Sequence, residues 1–62
     1  MRKLTEFQQG VYVNLSQFSR EVYNNKATRY DCVSYAVGFY GKVTEDIFEV
    51  INILFAQGVI EK

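Results

Sequence analysis

A chain of 62 residues with one cysteine, no histidine, and seven basic against seven acidic side chains leaves room for one small domain, excludes an internal disulfide and puts the usual zinc ligand sets out of reach. A formal net charge of zero argues against a dedicated nucleic-acid binder, which normally carries a basic excess. Hydrophobic residues are 48% of the chain and aromatics 16%, more than three short helices can cover. Some of this apolar area is therefore expected at the surface as a contact site, with a two-fold homodimer as one way to hide it.

The charges are unevenly placed. Six basic residues against three acidic ones precede Val43, and one basic against four acidic follow it. The lone Cys32 reads as a small buried hydrophobe. Together with the lack of an apolar leader or of any bilayer-length apolar run, it makes a reducing, cytoplasmic setting the expectation, or a nuclear one in a eukaryote.

The first element is expected from about Thr5 to Asn25. Leu4, Phe7, Val11, Leu15, Phe18 and Val22 recur at spacings of 3, 4, 4, 3 and 4, one stripe of a 3.6-residue helix. Gln8, Gln9, Gln17, Arg20 and Glu21 are assigned to its outer face. Gly10 and the Val11-Tyr12-Val13 run favour a kink or a short strand instead, so one helix and a broken one both stand. Asn24 and Asn25 suit the left-handed geometry that ends a helix.

The second helix opens on Thr28-Arg29-Tyr30-Asp31, which has capping-box spacing with Asp in place of the usual Glu or Gln. Val33, Ala36, Val37 and Tyr40 form its apolar face, and Gly41 stands where a helix-ending glycine belongs. Gly38, inside this helix, marks a position where another backbone could approach closely. The turn Gly41-Lys42-Val43-Thr44 is short enough to join two helices at a steep angle.

Thr44 is the natural N-cap of the third helix, Glu45 to about Gln57, with Val43 placed to staple onto Phe48. Ile47, Phe48, Val50, Ile51, Ile53, Leu54 and Phe55 cover most of its circumference. Glu45, Glu49 and Asn52 leave a narrow polar strip, so the helix is central or covered by a partner. Gly58 closes it, and Val59 is placed for a Schellman cap. Val59-Ile60-Glu61 is β-prone but too short for a sheet. The expected core is Leu4, Phe7, Val11, Leu15, Phe18, Val22, Val33, Val37, Tyr40, Ile47, Ile51, Leu54 and Ile60.

This order resembles the winged helix–turn–helix regulators of bacteria, archaea and their viruses, including small proteins carried by phages and mobile elements. Val43-Thr44, Ile47, Ile51 and Leu54 match the helix positions of that family. Gly58-Val59-Ile60-Glu61-Lys62 matches its step into the wing. Leu4-Thr5 and Gln8, followed by Val11 and Leu15, look like its opening helix. The resemblance implies an all-α, three-helix, helix–turn–helix or winged-helix-like domain over residues 1–62, with at most a very short terminal β-strand. The sequence stops at Lys62, where the first wing strand would begin, so the hairpin and its basic tip are expected to be absent.

The resemblance makes the third helix a DNA reader, and there the charges depart from the family. Glu45, Asp46 and Glu49 would face phosphates, where affinity depends on cations and counterion release. Acidic side chains at a helix start are also explained by the helix dipole alone, at about 0.3–1 kcal/mol each. The leading expectation is a small regulatory module that binds protein, either itself or another chain, through Glu45, Phe48, Glu49 and Asn52. The alternative is a dimeric DNA-binding regulator. Arg20, Lys26, Arg29 and Lys42 would then hold phosphates while Thr44 and Asn52 read bases.

Without histidine, a metal-ligand cluster or a glycine-rich phosphate loop, and with Ser16, Ser19 and Ser34 lacking a visible base, the chain reads as non-enzymatic. No cofactor, metal, small-molecule substrate or membrane is expected.

Overall fold

The computed structural model describes residues 3–61. It is an all-α fold of three helices, α1 (Glu6–Tyr23), α2 (Arg29–Tyr40) and α3 (Glu45–Gln57). Each helix packs on both others, in a body about 27 × 26 × 16 Å with a radius of gyration of 10.4 Å. Among the described residues there is no strand, and no helix is long and apolar enough to cross a membrane.

Local chemistry sets each boundary. Thr5 caps α1 through a reciprocal capping box in which its hydroxyl accepts from the Gln8 N–H at 3.1 Å and Gln8 Oε1 accepts from the Thr5 N–H at 3.1 Å. Thr28 and Asp31 form the same box at α2, with bonds of 3.1 and 2.9 Å. Both arrangements satisfy backbone donors that a helix start leaves without intrahelical partners. Thr44 takes the N-cap position of α3 without a side-chain cap bond. Its carbonyl accepts the Phe48 N–H at 3.0 Å.

Asn24 ends α1 in the left-handed region, followed by Asn25 at φ 67°. After α3, Gly58 at φ 78° lets Val59 donate to the Leu54 carbonyl at 3.0 Å while Gly58 donates to Phe55 at 3.2 Å, a Schellman pair.

The open question at Gly10 resolves to one continuous helix, since α1 runs unbroken from Glu6 to Tyr23. The close approach expected at Gly38 does not occur: a Cβ there would meet nothing within 4 Å.

The core is Val11, Leu15, Ala27, Cys32, Ala36, Ile47, Val50, Ile51, Leu54 and Ile60. Phe7, Val22 and Val37, expected inside, are 48%, 63% and 48% exposed. Leu4, Phe18, Val33 and Tyr40 are half-buried. The reason lies in which face of each helix is used. On α1 the buried line is Gln8, Val11, Leu15 and Ser19, one step around from the expected stripe, because α3 packs on that side. On α2 the inward residues are the small Cys32 and Ala36. The larger Val33 and Val37 are displaced to a flank.

Gln8, assigned from sequence to the outer face, is fully buried. Its Nε2 donates to Glu49 Oε1 at 2.9 Å and to the Asp46 carbonyl at 3.3 Å. A buried amide requires such partners, and here they tie the start of α1 to the first turns of α3.

The β-prone tail pairs with the rest of the domain without forming a strand. Ser19 Oγ donates to the Val59 carbonyl at 2.9 Å, the Glu61 N–H donates to the Ala27 carbonyl at 2.7 Å, and Ile60 is buried. Lys62, the last residue of the wing-step pattern, lies outside the described residues.

Candidate protein-contact surface

Two surfaces carry chemistry. The first is the polar edge of α3 expected from the sequence. Glu45, Asp46 and Asn52 are exposed there, and Phe48 is half-exposed. Glu49 is half-buried and accepts from Gln8, so part of its carboxylate serves the α1–α3 contact. Arg29 bridges to this edge from the start of α2. Its guanidinium donates to Asn52 Oδ1 and lies over the Phe55 ring at 4.7 Å, a cation–π geometry. A residue assigned to the cationic loop thus meets a residue assigned to the α3 surface. Arg20, Lys26 and Lys42 are exposed, while Thr44 is half-buried.

The second surface was not read from the sequence. Six aromatic rings form a connected run along α1 and α2. Tyr23 meets Phe18 edge-on at 5.3 Å, and Phe18 stacks on Tyr35 at 4.3 Å. Tyr35 stacks on Phe39 at 5.8 Å, Phe39 meets Tyr40 at 4.8 Å, and Tyr40 meets Phe7 at 5.8 Å. Asn14 Nδ2 donates to Tyr40 Oη at 2.8 Å and holds the ring next to the Phe7 end of the run.

Aromatic pairs at these separations hold one another in place beyond the area they bury. The result is a pre-ordered apolar face that solvent still reaches, with Phe39 60% exposed. Beside it runs a groove of about 280 Å³ lined by Asn14, Gln17, Phe18, Glu21, Val22 and Tyr35. Tyr35 and Phe39, four residues apart on α2, were the one sequence signal that could have revealed this face.

Cys32 is buried in the core. Loss of hydration on burial, with a smaller push from the neighbouring Asp31 carboxylate, raises its thiol from an ordinary 9.0 to about 11. A thiol held protonated is a poor nucleophile, so Cys32 acts as a packing residue. No protein-family model, curated protein or solved structure matches this chain.

Proposed function

We propose that this protein is a small, non-enzymatic regulatory module that acts through protein–protein contacts, with the aromatic face of α1 and α2 as its principal contact surface. The observation that carries the reading is the six-ring run, whose members Phe7, Tyr23 and Phe39 keep substantial exposure. Contiguous apolar area of this kind marks interaction sites, and ordered aromatic side chains bind at low entropic cost. The partner is a second copy of the chain, another protein, or both in turn. Glu45, Phe48, Glu49 and Asn52 form a secondary contact edge on α3.

The winged-helix reading with DNA as ligand draws less support. Glu45 and Asp46 are exposed at the front of α3, and Arg29 is engaged by Asn52 and Phe55.

Photo-cross-linking in the native host tests the proposal. p-Benzoylphenylalanine in place of Phe39 is expected to give discrete protein adducts, and the same group in place of the exposed Tyr30, outside the ring run, is not. Absence of adducts from position 39, or identical adducts from both positions, would count against it.

A further inference from the structure

We propose that the groove between α1 and α2 receives a cationic side chain, an arginine or lysine, presented by a protein partner. This deepens the protein-contact reading and rests on it.

The lining divides cleanly by chemistry. Phe18, Tyr35 and Val22 supply apolar surface, while Asn14, Gln17 and Glu21 supply polar groups. Only one of the six is charged, and it is a carboxylate. Phe18 and Tyr35 stack at 4.3 Å with their planes 22° apart, and Tyr35 also stacks on Phe39, so the pair lines the groove as a rigid apolar wall. Gln17 Nε2 donates to Glu21 Oε2 at 3.1 Å and holds the carboxylate beside that surface. Asn14 commits an amide proton to Tyr40, which leaves its carboxamide oxygen as an acceptor.

An aromatic wall, a restrained carboxylate and an amide oxygen are the three features a guanidinium or ammonium group uses. The N–H groups of the cation donate to the oxygens, and its methylene stem covers the apolar wall. An anionic ligand would meet Glu21 with like charge. A purely apolar one would strip water from a carboxylate and two amides without replacing their hydrogen bonds. Elsewhere the chain already seats a cation against an amide oxygen and an aromatic residue, where Arg29 donates to Asn52 and lies over Phe55. Exposed Phe39, next along the ring run from Tyr35, offers apolar flanking contact, so the fitting segment is an arginine or lysine between apolar residues.

The test is an NMR titration of the full ¹⁵N-labelled chain with the blocked tripeptide acetyl-Leu-Arg-Leu-amide, against acetyl-Leu-Glu-Leu-amide and acetyl-Leu-Leu-Leu-amide. The arginine peptide alone is expected to give saturable shifts at the Asn14 and Gln17 side-chain amides and at the Tyr35 backbone amide. Glu21→Gln, at an exposed position that does not threaten the fold, should weaken that binding about two- to fivefold. Three results would overturn the proposal: no shifts with the arginine peptide, equal shifts with either control peptide, or the same shifts on raising protein concentration alone, which would make a second copy the occupant. Cross-linking from position 39 does not depend on Glu21. Adducts retained there without peptide binding would remove the cation site and leave the protein-contact reading standing.

Discussion

Gln8 offers the sharpest stability test, because its one side chain joins a helix cap to an interhelix contact. Gln8→Met keeps an unbranched side chain of similar size and removes three hydrogen bonds: from the Thr5 N–H, and to Glu49 Oε1 and the Asp46 carbonyl. A neutral bond contributes about 1 kcal/mol and one to a charged group about 1.5–3 kcal/mol. Glu49 is only half-buried and Thr5 is exposed, so water replaces part of the loss. The expected cost is roughly 1–3 kcal/mol, a melting temperature lower by roughly 5–20 °C for a domain this small. Thermal and urea unfolding followed by circular dichroism measure it. A double-mutant cycle with Glu49→Met should give a coupling of about 0.5–1.5 kcal/mol. A Gln8→Met chain as stable as the parent, or a coupling near zero, would refute the role assigned to this side chain.

Gly10→Ala should stabilise the domain by about 1 kcal/mol in the same unfolding assay, since Gly10 is helical and a Cβ there meets nothing within 4 Å. Thr28→Ala should cost about 1 kcal/mol, and Thr44→Ala clearly less, because Thr28 makes a side-chain cap bond and Thr44 does not. Cys32 should react with a disulfide reagent at pH 8 only as fast as the chain unfolds. As pH climbs past 9.0 the unfolded thiol loses its proton while the native one keeps it up to about 11. The native state then binds more protons, so the contribution of Cys32 to stability falls across that window. Comparing urea midpoints of the parent and Cys32→Ala at pH 8 and pH 10.5 isolates this effect.

Helix ends were the most legible part of the sequence. The Thr28–Asp31 box, Asn24, Gly41 and Gly58 are short-range signals, decided by side chains within a few residues of the backbone groups they satisfy. The burial pattern was less legible, because periodicity gives a helix a stripe but does not say which flank the neighbours use. Gln8 illustrates this. A polar residue in a mixed stripe reads as exposed until α3 supplies Glu49 and the Asp46 carbonyl as partners. Cys32 and Ala36 illustrate the converse, since small residues carry a weak hydrophobic signal yet let α2 approach closely. The aromatic face depends on pairs such as Phe18–Tyr35 that lie far apart in the chain. For the polar edge of α3, the sequence placed Glu45, Phe48 and Asn52 together, but it could not show Arg29 arriving from α2.

The most direct test of the aromatic face as the contact surface is quantitative co-purification from the native host of chains bearing Phe39→Ser or Glu45→Lys. Both positions are exposed, so both variants should remain folded. If Phe39 anchors the interface, its truncation costs about 2 kcal/mol or more, roughly thirtyfold in affinity. Recovered partner, or a tagged second copy, should then collapse for Phe39→Ser and persist for Glu45→Lys. Undiminished recovery with Phe39→Ser and loss with Glu45→Lys would move the contact to α3 and contradict the assignment.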